Sequence, residues 1–314
     1  MSVQNIALRL AISRLGFLKF SEKKLLEKKL DTISRLALLS IDDLSYIIGR
    51  VIHTKLWMPE HIERQAETDL KLMTTFHTDV LFYDDPFWPP LLNEIYDPPY
   101  ALFYRGSAAI LSAPCAAVVG TRRPTGRGMR SAKQLGFELA QAGFTVVSGL
   151  ALGIDACAHA GAVGGGKTAA VLGSGADTVT PVSNKRLAEA ILNSGGCIIS
   201  EYAPGTGAEK WHFPQRNRII SALSLVTVIV EAPAGSGALI TADFALEQNR
   251  ELCFHSCALD YTEGPAVNLL RTKKQMRQVS NYIADGACVV SDARDVIAQL
   301  TAERSEKKET GLRL

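Results

Sequence analysis

The chain has 314 residues, room for roughly two domains, and its 47% hydrophobic and 21% charged residues suit a globular protein with a sizeable core. A net charge of only +2 excludes any argument for nucleic-acid binding from overall basicity, so such a role needs a local patch. The opening MSVQNIALRLAISRLGFLKF is no secretory leader, and no run reaches the ~18 apolar residues that span a bilayer, so a cytoplasmic protein without a membrane partner is expected.

Residues 1–80 read as a small helical domain with an ordinary solvated charged face. Ser40 before Asp42 and Asp43 is a cap signature, because a serine oxygen accepts a backbone N–H left free at a helix start. Leu44, Ile47, Ile48, Val51 and Ile52 follow at helical spacing and define one apolar face. Residues 81–112 are too rich in proline for one regular helix, since proline lacks an N–H and fixes φ. They are expected to form an extended connector ending in the short strand ALFYRG.

From residue 113 onwards strand-like and helix-like runs alternate. Strands are expected at 116–120, 145–149, 168–173, 197–202, 226–232, 251–257 and 287–291. Helices fall around 128–142, 153–163, 184–194, 215–224 and 238–249, and a last one begins at Asp292. This domain should close near residue 302, with 303–314 as a frayed tail. Apolar strands without polar alternation suit a sheet covered on both faces, and strand–helix–strand repetition implies right-handed crossovers. The expected fold is α/β: a Rossmann-like, doubly wound, mostly parallel sheet preceded by the small helical domain.

Ligands of such a sheet bind beyond the carboxyl ends of the strands. The loop GTRRPTGRG (120–128) lies there, with Gly120, Thr121, Arg122, Arg123 and Thr125 as candidate contacts. Glycine lets the backbone approach an oxyanion, and a guanidinium matches a phosphate; the plainer alternative is a turn with surface arginines. In SGLALGID (148–155), small residues including Ser148 and Gly149 leave room above the sheet. Asp155 and His159 stand one helical turn apart, either as an acid–base pair or, the favoured reading, in a mutual hydrogen bond closing the loop.

GAVGGGKT (161–168) fits the P-loop pattern GxxxxGK[ST]. A P-loop needs a strand before it and a helix after it; here the order is reversed, so the segment reads as a turn. GSG (173–175) lacks the third glycine and the acidic residue of a dinucleotide fingerprint, and no cofactor is expected.

KWHFPQRNR (210–218) is the most informative stretch. It sets Lys210, Arg216 and Arg218 beside Trp211 and Phe213 at a helix start, with Asn217 between the arginines. Cations track phosphates and aromatic faces stack on unpaired bases, which suits a single strand. The alternative packs Trp211 and Phe213 into the core and ties the arginines in salt bridges. In EAPAGSGALIT (231–241), Ser236 and Gly237 open another helix towards an anion. Glu231 is either a catalytic carboxylate or, the favoured reading, a pin for nearby loop N–H groups or arginines.

The six cysteines form no CxxC pair and read as buried free thiols. Cys253, His255 and Cys257 alternate on one strand without a second ligand pair, which disfavours zinc.

Taken together, GTRRPTGRG, SGLALGIDACAHAGAV, AAVLGSGADTVTPVSNKRLAEAI, ISEYAPGT, FPQRNRIISALS and VEAPAGSGALITADFALEQNR resemble the DNA-processing protein A (DprA, or Smf) family, over residues 80 to about 257. The resemblance implies a cytoplasmic bacterial homodimer that binds incoming single-stranded DNA in natural transformation. It also implies that the protein protects that strand, helps load the RecA recombinase onto it and carries out no known chemistry. By motif position it implies Arg122 as a phosphate-binding arginine and Lys210 and Phe213 as DNA contacts, with Arg216, Asn217 and Arg218 beside them. Three departures bear on the family's pairing surface. Arg127 replaces the usual tyrosine, FHSCALD lacks a Pro-Gly turn, and RTKKQMRQVSNY (271–282) looks like an insertion. No winged-helix domain is expected to follow. A nucleotide hydrolase related to the lonely-guy phosphoribohydrolases is the alternative, but APAGSGALITA lacks the glycine pair and glutamate of their PGGxGTxxE loop.

Overall fold

The computed structural model describes residues 3–261 and 277–309. Five helices come first: α1 (Val3–Ser13), α2 (Phe20–Lys29), α3 (Ile33–Ala37), α4 (Ile41–Ile48) and α5 (Ile62–Phe76). Ser40 caps α4 as expected: its hydroxyl accepts from the Asp43 N–H, and the Asp43 carboxylate accepts from the Ser40 N–H. The helix is shorter than its apolar spacing suggests. Gly49 at φ +78° takes the left-handed conformation that ends helices, so Val51 is left exposed while Ile52 turns back into the core. Leu10, Ile12, Leu26, Leu36 and Leu44 share one apolar cluster with Phe103, Ala170 and Ile198 of the sheet.

The proline-rich segment begins in a strand. β1 (Asp79–Phe82) pairs antiparallel with β2 (Ala101–Gly106), and the prolines fall in the loop between them. Seven more strands follow: β3 (Cys115–Val119), β4 (Thr145–Ser148), β5 (Lys167–Val171), β6 (Cys197–Ser200), β7 (Val226–Ile229), β8 (Glu251–His255) and β9 (Cys288–Val290). The intervening helices are α6 (Gly126–Gln141), α7 (Ile154–Gly165), α8 (Lys185–Asn193), α9 (His212–Ala222), α10 (Gly237–Glu247) and α11 (Val279–Ala284), and α12 (Ala293–Glu309) comes last. α12 runs through much of the expected tail. Of the suspected insertion, residues 271–276 lie outside the described residues and 279–284 form α11.

The sheet order is β1-β2-β6-β5-β4-β3-β7-β8-β9, with β3 to β9 parallel and β2 antiparallel to β6. The chain starts this parallel part at β3, grows outward through β6, then returns to the other edge of β3 with β7. Crossovers on the two sides of that point leave to opposite faces, so a crevice opens between the loops after β3 and β7. Among the described residues no helix is long and apolar enough to cross a membrane.

The P-loop look-alike has a packing role. A Cβ on Gly161 would stand 1.9 Å from the Lys133 carbonyl oxygen, and one on Gly136 would stand 2.3 Å from that of Ala158. Small residues are needed because α6 and α7 touch backbone to backbone. The cysteine reading needs correction: Cys253 and Cys288 form a disulfide, since β8 and β9 pair with these two residues directly opposite. Cys115, Cys157, Cys197 and Cys257 are free thiols, and burial pushes Cys115 up to about 12.

Candidate nucleic-acid interface

A cleft of about 1220 Å³ occupies the crevice where the strand order reverses. The β3 loop lines it with Gly120, Thr121, Arg122 and Arg123. The start of α9 adds Lys210, Phe213 and Asn217, and the β7 loop adds Ser236 and Gly237. The Arg122 guanidinium carbon lies 5.5 Å from the Phe213 ring centroid, within cation–π range. Thus the basic loop and the aromatic, far apart in sequence, face one space. Arg122, Arg123 and Lys210 are exposed and have no carboxylate partner among the described residues.

Glu231, buried just beyond β7, ties down the β3 loop. Its carboxylate accepts from the Thr125 N–H at 2.8 Å and the Thr125 hydroxyl at 2.5 Å, while its carbonyl accepts from the Thr121 N–H at 2.7 Å. Thr125 Oγ1 in turn accepts from the Gly128 N–H at 3.0 Å and caps α6. A side chain at Gly128 would meet that carboxylate at 2.2 Å, so glycine is required there. Glu231 is a pin for the loop, and its oxygens are engaged.

Beneath the cleft the charges are internal. Arg216 is buried and its Nη1 donates to the carbonyls of Gly149, at 2.7 Å, and Val171. Its guanidinium fills the space a Gly149 side chain would need. Burial lowers the Arg216 pKa to about 10, with neighbouring Asp155 working the other way. Burial raises the Asp155 pKa, opposed by Arg216 and by backbone N–H groups of the two loops, among them Gly149 at 3.2 Å. His159 is held neutral, with a pKa near 3, by burial and by the charge of Arg216. Its Nδ1 lies 2.7 Å from Thr168 Oγ1, whose hydroxyl proton is directed to the Val146 carbonyl. The imidazole Nδ1–H therefore donates to Thr168. The expected Asp155–His159 bond is not made, because each side chain faces a different partner.

Several candidates need correction. Arg218 does not face the cleft: its guanidinium pairs with Glu201 and donates to the Asp97 carbonyl at 2.6 Å, beside a second pocket of about 210 Å³. Residues 213 and 217 share a helix face, whereas 218 is rotated away from it. Ser148 is fully buried and donates to the Val118 carbonyl at 2.7 Å, so Ser148 and Gly149 form the floor beneath the cleft. Arg216 reaches the cleft wall while its Nη1 donates to the carbonyls of Gly149 and Val171 and its Nε to Asn217. Asn217 Nδ2 donates to the Gly237 carbonyl at 3.0 Å and ties α9 to the start of α10. The Ser236 hydroxyl lies at that start without a partner among the described residues. Trp211 is not a core residue; it is 56% exposed.

Tyr261, outside every motif named above, also lines the cleft and donates through its hydroxyl to the Arg123 carbonyl at 3.4 Å. Its only signal is position, shortly after a strand that ends beside the crevice.

An open doubly wound sheet with exposed cations and a helix N-terminus lining a cleft at its switch point defines a Rossmann-like α/β protein with a basic crevice. Residues 79–301 match the family described as DNA recombination-mediator protein A, and the chain belongs to it. It is 38% identical over 217 residues to DNA processing protein DprA of Streptococcus pneumoniae, covering 68% of this chain and 72% of that one. It is 40% identical over 224 residues to Protein Smf of Synechocystis sp., covering 70% of this chain but only 53% of the relative. The X-ray structure of the S. pneumoniae protein superposes with a TM-score of 0.70 and 32% identity, over 95% of this chain and 98% of that one. The Helicobacter pylori protein, whose structure describes a single-stranded DNA binding mode, gives a TM-score of 0.58 and 27% identity, over 73% and 97%.

Proposed function

We propose that this cleft holds single-stranded DNA. Arg122 and Lys210 meet the phosphates, with Arg123, Ser236 and the N-terminus of α10 beside them, and Phe213 stacks on a base. Gly120, Thr121, Thr125, Ser148, Gly149 and Arg216 shape the loops. The observation that carries the reading is the single space shared by Arg122, Phe213 and Lys210. Stacking is wasted on a duplex, whose base faces are covered, so a single strand is the matching ligand. The family and the H. pylori relative point the same way. The proposal extends to a cytoplasmic homodimer that protects incoming DNA during natural transformation and helps load RecA onto it. Binding is favoured over nucleotide hydrolysis because Asp155 and Glu231, the carboxylates at the base of the cleft among the described residues, are buried and engaged.

Titration with single- and double-stranded oligonucleotides at two salt concentrations tests this. The single strand should bind more tightly, with an affinity that falls as salt rises. Arg122→Ala and Lys210→Ala should each weaken it roughly tenfold, the scale of one phosphate or stacking contact. Unchanged affinity in both variants would remove the site. Release of free base from nucleoside monophosphates would favour the hydrolase.

A further inference from the structure

We propose that Trp211 is a second base-stacking position, which carries a single strand out of the main cleft and over the start of α9. The proposal rests on reading that cleft as a single-stranded DNA site, and it names a longer path for the same ligand. Tryptophan is strongly buried on average, and Trp88 here follows that rule at 6% exposure. Trp211 is open over more than half its surface, yet it is anchored. Its indole N–H donates to Glu209, and the rings of His212 and Tyr202 meet it at 70° and 85°. Those two rings stack on each other 3.9 Å apart, so the indole is braced by a fixed pair. An exposed aromatic already held in place loses little side-chain entropy when a base lands on it.

Its position gives the direction. Lys210, the preceding residue, lines the main cleft, whereas Tyr202 lines the second pocket. Trp211 thus stands on the ridge between the two depressions, two residues before Phe213. Beyond the ridge the cations are occupied: Arg14 pairs with Asp69, Arg218 with Glu201, and the Lys23 ammonium donates to the Ser13 carbonyl. Beside the indole itself sits the Glu209 carboxylate, which repels phosphate. This subsite therefore offers stacking without phosphate neutralisation, and its partner is an unpaired base.

Two readouts separate this inference from the cleft reading. With oligonucleotides long enough to pass the ridge, Trp211→Ala should weaken binding roughly tenfold without altering the salt slope, while Lys210→Ala lowers both affinity and slope. With oligonucleotides short enough to fill only the cleft, Trp211→Ala should bind as wild type. Tryptophan emission should fall when the wild-type protein is saturated with the long strand, and this fall should vanish in Trp211→Leu. If Trp211→Ala matches wild type at every length while Lys210→Ala is weakened, the ridge subsite is wrong and the cleft stands. If the wild type binds no oligonucleotide at all, both readings fail together.

Discussion

Two depressions flank the start of α9, and they treat their cations differently. In the large cleft, Arg122, Arg123 and Lys210 are exposed, with no carboxylate against them among the described residues. In the small pocket, Arg218 lies between Glu201 and Asp97, and Arg14 is clamped by Asp69. A single helix start serves both, so the count of basic residues in KWHFPQRNR says little about where a polyanion binds. What matters is which cations the fold has left unpaired, since a paired one has already exchanged its hydration for a protein partner.

The contrast would break most visibly at the buried arginines. Arg216→Met should destabilise the protein by about 3–5 kcal/mol, because Asp155 would be left buried without its counter-charge. Arg218→Met should cost less, since Glu201 is partly exposed and can be rehydrated. Urea unfolding measures both. If Arg216→Met kept its stability and lost only DNA affinity, Arg216 would belong with the ligand contacts and the division between inner and outer cations would fail.

The acid limb of stability comes next in size. His159 binds its proton near pH 6.5 when unfolded but only near pH 3 when folded, so below pH 6.5 the unfolded chain holds more protons. Stability is therefore complete above pH 6.5 and should fall by about 2 kcal/mol between pH 6.5 and 5 from this residue alone. His159→Leu should flatten that limb. An unchanged slope would mean that neither burial nor the charge of Arg216 depresses the His159 pKa in the folded chain.

The outer cations give smaller and different effects. Lys210→Ala should leave stability within about 0.5 kcal/mol, weaken oligonucleotide binding roughly tenfold and reduce the salt slope by about 0.7. Arg218→Lys, which keeps a charge in the small pocket, should leave the affinity unchanged. Equal losses of affinity in the two variants would erase the distinction between the pockets.

Much of this was legible in the sequence, for physical reasons. The central parallel strands announce themselves as apolar runs because they are covered on both faces, and Gly120 and Gly128 mark places where backbones and the Glu231 carboxylate come close. The convergence of Arg122, Lys210 and Phe213 followed from placing their loops at strand ends. The fate of Arg216, Arg218 and Ser148 was not legible: nothing local tells an arginine that its partner is a carbonyl of Gly149 or a carboxylate of Glu201. The Cys253–Cys288 bridge was hidden for the same reason, since it depends on β9 returning beside β8. Tyr261 and β1 were missed because one lacks periodicity and the other is only four residues long.

The loop that presents Arg122 separates preorganisation from contact. Thr125 does not line the cleft, but its hydroxyl links the Glu231 carboxylate to the first turn of α6. Thr125→Ala removes that link and should cost about 1 kcal/mol of stability, whereas Thr125→Ser retains the hydroxyl and should cost less. If Arg122 works only through its own charge, Thr125→Ala will bind DNA as wild type at every salt concentration. If the pinned loop is part of the site, affinity will drop severalfold with an unchanged salt slope, because the cation remains and only its fixed position is lost. Rescue by serine would then assign the effect to the hydroxyl, and with it to the buried Glu231. The outward cations would owe their position to an inward carboxylate, and the two kinds of charge would be one device.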